Sequence, residues 1–105
     1  MSMGKRLEAL IPAAFRQAFG KGSTPSSADQ TPPVDEIRGT FDRVYEQILA
    51  EAPQQTDAEL DRPLEGEHPA FKTKLGALQF CSQHEMTHAG QIALLRRMTG
   101  KAPLF

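Results

Sequence analysis

Long apolar runs, cysteines and β-branched aliphatic residues are all scarce in this chain of 105 residues. No apolar stretch approaches the roughly 20 residues that cross a bilayer, so we expect no membrane-spanning segment. A single cysteine cannot form an internal disulfide. Because the lack of disulfides is typical of proteins in reducing compartments, we expect a cytoplasmic protein. The net charge of −1 gives no excess of cations to neutralise phosphates, so nucleic-acid binding has no electrostatic support.

The aliphatic composition favours helices over strands. Valine and isoleucine together number six, whereas leucine and alanine dominate the apolar set. The sequence shows no sustained period-two alternation and no Asn-Gly or Asp-Gly hairpin signal. The length is near that of one small domain. We therefore predict a single all-α domain over residues 1–105.

Two of the expected helices lie in the first half of the chain. The first spans residues 4–19, with a kink or a restart at Pro12, because proline lacks a backbone donor. Residues 21–33 have the Gly, Ser and Pro content of a flexible loop. The second helix spans residues 34–52 after two prolines and carries one apolar stripe. Its expected buried face comprises Ile37, Phe41, Val44, Tyr45 and Ile48.

A short helical turn and a long helix are expected in the second half. Thr56 and Glu59 form a capping-box pattern, which predicts one helical turn. Thr73 can cap a final helix that Gly100 closes. Apolar residues spread around more than one face of this last helix, so we expect it to be central and covered on two sides.

Two histidines on the last helix carry the main chemical signal. His84 and His88 are four residues apart, so both imidazoles project from one face and can chelate a divalent ion. The same segment matches the HExxH pattern of zinc peptidases, in which Glu85 would be the general base. That class needs a third ligand, usually downstream, and residues 89–105 contain no His, Asp or Glu. A zinc peptidase is therefore the least favoured alternative.

The C-terminal segment FCSQHEMTHAGQIALLRRMTGKAPLF (residues 80–105) resembles the terminal helix of DinB-like proteins, a superfamily of metal-binding four-helix bundles. The shared pattern is a His-x-x-x-His pair, a Gly-Gln step and an apolar-Arg-Arg run. The matching positions are His84, His88, Gly90, Gln91, Ile92, Leu95, Arg96, Arg97, Gly100, Lys101 and Pro103. The upstream segments FGKGSTP and GEHPAF follow the family's order, so the resemblance covers about residues 18–105.

The resemblance implies a divalent-metal site centred on His84 and His88, with zinc or nickel as the expected ion. DinB-like bundles usually take a third histidine from their second helix, whereas this chain has no histidine before His68. We therefore interpret it as a partial four-helix bundle that lacks the family's N-terminal part and is completed by oligomerisation as a homodimer. His68 is the candidate third ligand, and Glu65 and Glu67 are oxygen alternatives.

Two further side chains are expected to line the site. Cys81 lies one turn before His84, but an ion shared by Cys81, His84 and His88 would have to bridge about 10 Å along the helix axis. We therefore expect Cys81 to pack as a small hydrophobe. Gln91 lies one turn beyond His88 and is expected to line the site or to hydrogen-bond the second nitrogen of a ligand.

Two functions from different classes stay open. The resemblance implies a divalent-metal-binding protein that is a remnant or part of a thiol-dependent transferase or a metal-dependent hydrolase, with a small-molecule substrate. The alternative is a non-catalytic helical fragment that dimerises, because missing helices would leave apolar faces exposed. Catalysis itself is left open, since catalytic zinc normally has three protein ligands and two hold a metal loosely.

Overall fold

The computed structural model of the chain describes residues 2–24 and 30–103 and contains helices joined by turns and loops. The chain forms two compact units, Met1–Gln55 and Thr56–Phe105. The α-helices of the described residues are α1 (Met3–Ala9), α2 (Ala13–Phe19), α3 (Val34–Glu51), α4 (Asp57–Leu60) and α5 (Lys74–Met98). No strand occurs in those residues, which contain only an isolated antiparallel bridge between Pro63 and Thr73. The all-α prediction is confirmed.

The expected first helix is two helices, because the chain restarts at Pro12. Pro12 adopts an extended conformation (φ −60°, ψ 148°) and is the N-cap of α2. Its ring disfavours helical geometry in the preceding residue and it has no N–H to continue the hydrogen-bond ladder. Of the predicted loop 21–33, residues 21–24 and 30–33 carry no α-helix, and residues 25–29 lie outside the described part of the chain.

Helix α3 begins after Pro33 as predicted and ends at Glu51, where a short 3-10 turn (Ala52–Gln54) follows. Helix α1 packs against α3, and the Arg6 guanidinium forms an ion pair with the carboxylate of Glu51. Phe15 and Thr40, which are 9% and 4% exposed, are the only buried residues found in residues 2–24 and 30–103.

The predicted buried face of α3 is only partly covered. Ile37, Val44 and Ile48 are half-buried, but Phe41 and Tyr45 are 64% and 51% exposed, so the prediction is wrong at these two positions. The two rings stack on each other with centroids 6.3 Å apart. The physical reason is that α1 and α2 have seven residues each and cannot cover an 18-residue helix.

The second unit begins with the predicted capping box. The Thr56 hydroxyl accepts a hydrogen bond from the Glu59 backbone N–H (3.2 Å), and the Glu59 carboxylate accepts one from the Thr56 backbone N–H (2.9 Å). Helix α5 begins after Thr73, whose hydroxyl accepts from the Gly76 N–H (3.1 Å). It ends at Met98, and Gly100 follows with φ +80°, which confirms both predicted ends.

Helix α5 is far more exposed than the sequence predicts. It contains no buried residue, and every residue from 81 to 92 is exposed, so the expectation of a central helix covered on two sides is wrong for this chain. The reason is that its partner helix within the unit, α4, is a single turn of four residues. Among the described residues, no helix is both long and apolar enough to cross a membrane.

Candidate metal centre

The imidazoles of His84 and His88 converge on the exposed middle part of α5. Their Nε2 atoms lie 3.1 Å apart, and the ring centroids are 4.5 Å apart. This convergence follows from the helix itself, because residues four apart stand one above the other on the same face. Both rings are accessible to solvent, so an ion can reach them without any rearrangement of the chain.

Gln91 determines which nitrogen of His88 is available. Its side-chain oxygen lies 2.8 Å from the Nδ1 atom of His88. Because an amide oxygen only accepts, the partners assign the proton of the neutral ring to Nδ1, which leaves the lone pair on Nε2. In the metal-free pair, His84 then donates its Nε2 proton to the Nε2 atom of His88. Gln91 is thus hydrogen-bonded to the second ring nitrogen of His88.

The two histidines fit a divalent ion. Two nitrogens that each lie about 2.0–2.1 Å from a tetrahedral zinc are roughly 3.3 Å apart. The observed separation of 3.1 Å is close to this value. Chelation also requires His84 to carry its proton on Nδ1, so that the Nε2 lone pairs of both rings face the ion. A second hydrogen bond that fixes the tautomer, as Gln91 provides for His88, is the usual arrangement around metal-binding histidines.

The structure does not bring the other predicted ligands to this pair. Within residues 2–24 and 30–103, no group of three or more His, Cys, Asp or Glu residues could hold one ion. His68 stacks on Phe71 with centroids 3.8 Å apart, and its Nδ1 atom accepts a hydrogen bond from the Ala70 N–H (3.1 Å). Glu65 and Glu67 are exposed residues of the same loop.

The remaining predicted site residues lie on exposed parts of α5. Cys81 does not pack in a core as expected: it is exposed, and its thiol donates to the carbonyl oxygen of Ala77 one turn back (3.4 Å). Glu85, which the peptidase alternative requires, is also exposed.

Phe80 is the residue near the site that the sequence analysis missed. Its ring is nearly parallel to that of His84 (18°), with centroids 5.9 Å apart. It also contacts Phe71 and His68, with centroid distances of 5.2 and 5.6 Å. The available signal was the four-residue spacing between Phe80 and His84, which places an aromatic ring one turn before the first histidine.

In a comparison with known families, the model of the DinB superfamily matches residues 4–92, which is most of the chain and includes His84, His88 and Gln91. No curated protein and no solved structure matches the chain.

Proposed function

The chain belongs to the DinB superfamily, and from this membership and the geometry of α5 we propose that it binds a divalent metal ion through His84 and His88. The observation that carries the proposal is the 3.1 Å separation of the two Nε2 atoms. The hydrogen bond from His88 to Gln91 supports it, because this bond leaves the metal-binding nitrogen of His88 unprotonated.

Imidazole donors favour zinc, copper, iron and nickel over magnesium and calcium, so zinc or nickel is the proposed ion. When bound, such an ion supplies a Lewis acid and lowers the pKa of coordinated water. His84 and His88 hold the ion, and Gln91 orients His88. We further propose a small-molecule substrate and either thiol-dependent transfer or metal-dependent hydrolysis, acting in the reducing cytoplasm where the lone thiol of Cys81 stays free.

Metal titration of the full chain tests the proposal. Zn²⁺, Ni²⁺ and Co²⁺ are titrated into wild-type protein, His84→Ala and His88→Ala, with Gln83→Ala on the same exposed part of α5 as the control. We expect each histidine variant to bind roughly 100-fold more weakly than wild type, and the control to bind as wild type does. Equal affinity in all four proteins would contradict the proposal.

A second proposal concerns the apolar surface of α5, which we infer to pack against a second copy of the chain. Monomeric proteins rarely expose large contiguous apolar patches, and dimers with two-fold symmetry cover such patches with the same surface of the partner. The strongly exposed apolar residues of this helix are Met86 (72%), Ile92 (57%), Leu94 (58%), Leu95 (60%) and Met98 (74%).

Light scattering of the purified chain tests this homodimer. We expect twice the monomer mass for wild type and the monomer mass for Leu95→Glu, because a charge in the centre of an apolar interface is costly to desolvate. Gln83→Glu adds the same charge at an exposed polar position of the same helix and should remain dimeric. A monomeric wild-type protein at micromolar concentration would overturn the second proposal and leave the first untouched.

A further inference from the structure

We propose that Phe80 is a positioning residue of the histidine pair: its ring holds the imidazole of His84 in the orientation that directs Nε2 toward His88. The proposal deepens the proposed metal binding and rests on it. In this role Phe80 acts only through His84.

The contact between the two rings is well defined. Their planes are 18° apart and their centroids 5.9 Å apart, which is within the range of offset-stacked aromatic pairs. His84 lies within residues 81–92, all of which are exposed, so few other neighbours restrict the rotamers of its side chain. Phe80 is the last half-buried residue before this exposed stretch. The Phe80 ring therefore connects His84 to the half-buried start of the helix.

The Phe80 ring is itself held by the loop that precedes α5. The centroid of its ring lies 5.2 Å from that of Phe71 and 5.6 Å from that of His68. The rings of Phe71 and His68 stack on each other with centroids 3.8 Å apart. Gly76 allows this packing, since a Cβ atom there would lie only 3.0 Å from the Cβ atom of Phe71. Five rings thus form a continuous series that begins in the loop with Phe71 and His68 and continues on α5 with Phe80, His84 and His88.

Backbone hydrogen bonds fix this loop to the start of the helix. The Leu64 N–H donates to the carbonyl oxygen of Lys72 (3.0 Å), and the Lys74 N–H donates to that of Arg62 (3.1 Å). The loop therefore presents Phe71 and His68 from a defined position. In this arrangement His68 packs its ring against Phe80. The histidine outside the pair therefore has a role other than metal ligation.

The consequence for metal binding is an entropic one. Without the Phe80 ring, the His84 side chain would sample other rotamers, and chelation would then have to order it. Groups that orient metal ligands typically change the affinity by 10–100-fold when they are removed. Because the contact is made by the face of a ring, a residue of similar volume without a flat face should not replace it.

The test compares Phe80→Leu, which keeps an apolar side chain, with Phe80→Tyr, which keeps the ring face. Phe41→Leu is the matched control, since Phe41 also stacks on an aromatic ring four residues later, that of Tyr45, and both residues are exposed. The first readout is the nuclear Overhauser effect between the ring protons of His84 and His88 in the metal-free protein. The second is the affinity for Co²⁺.

We expect Phe80→Leu to weaken the Overhauser effect severalfold and the Co²⁺ affinity about 10-fold, with wild-type helicity by circular dichroism. Phe80→Tyr and Phe41→Leu should behave as wild type in both readouts. A wild-type Overhauser effect in Phe80→Leu would overturn the positioning role. Absence of Co²⁺ binding by wild type itself would instead overturn the proposed function, while the Overhauser effect would still decide whether Phe80 orients His84.

Discussion

The Nδ1 atom of His88 lies 2.8 Å from the side-chain oxygen of Gln91. The two residues are three apart on α5, so the helix itself brings their side chains into reach of each other. It places the ring proton on Nδ1 and the lone pair on the nitrogen that faces His84. A single side chain thus sets both the tautomer and the direction of the His88 imidazole.

Removal of this acceptor should weaken metal binding. We expect Gln91→Leu to lower the Co²⁺ affinity about 10-fold, because His88 loses the bond that fixes its tautomer. Gln91→Glu keeps an accepting oxygen and should retain wild-type affinity or exceed it. Calorimetric titration measures both, with Gln83→Leu as the control for an apolar substitution on the same helix. Wild-type affinity in Gln91→Leu would show that Gln91 has no orienting role.

Phe15 should be the most sensitive apolar position of the first unit. It is 9% exposed and is the one buried hydrophobic side chain among the residues that the structure describes. We expect Phe15→Ala to lower the free energy of unfolding by about 3 kcal/mol, as truncation of a buried phenylalanine usually does. Phe19→Ala is the matched control, because its ring contacts Phe15 but is 53% exposed. Urea denaturation with equal losses in the two variants would contradict this assignment of the core.

The capping box of α4 should respond to acid. The backbone N–H of Thr56, and then its hydroxyl, hold the pKa of Glu59 below its usual range by hydrogen-bonding the carboxylate. Because the pKa of Glu59 is lower in the folded state, its ionised carboxylate stabilises the fold. This stabilisation is fully present above the unfolded pKa of about 4.3 and is lost as the pH falls through the folded pKa.

The difference in unfolding free energy between wild type and Glu59→Gln should therefore shrink as the pH falls from 7 to 3. It should be small throughout, because the carboxylate is exposed to solvent. Thermal unfolding at several pH values measures it, and Glu46→Gln on α3 serves as an exposed carboxylate control. A difference that is constant over this range would contradict the role of the ionised carboxylate.

Local signals made much of this fold predictable. Pro12, the Thr56–Glu59 capping box and the Thr73 N-cap act within four residues along the chain, so the sequence alone places the helix boundaries. The convergence of His84 and His88 was predictable for the same reason, because the four-residue spacing on a helix determines it.

Burial could not be predicted in the same way. The apolar residues of α5 and the Phe41–Tyr45 pair have the spacing of core positions, but spacing states only which residues share a face and not whether another helix covers it. The role of Phe80 was missed because its partners Phe71 and His68 come from a loop, whose path depends on backbone contacts that leave no periodic signal.

The most direct test of the metal site is the nitrogen ligation measured by X-ray absorption at the zinc or nickel edge of the metal-loaded chain of 105 residues. The proposal predicts two imidazole ligands in wild type, one in His84→Ala and one in His88→Ala, with metal–nitrogen distances of about 2.0–2.1 Å. An ion bound without imidazole ligands, or with the same number of imidazole ligands in wild type and in both variants, would contradict it.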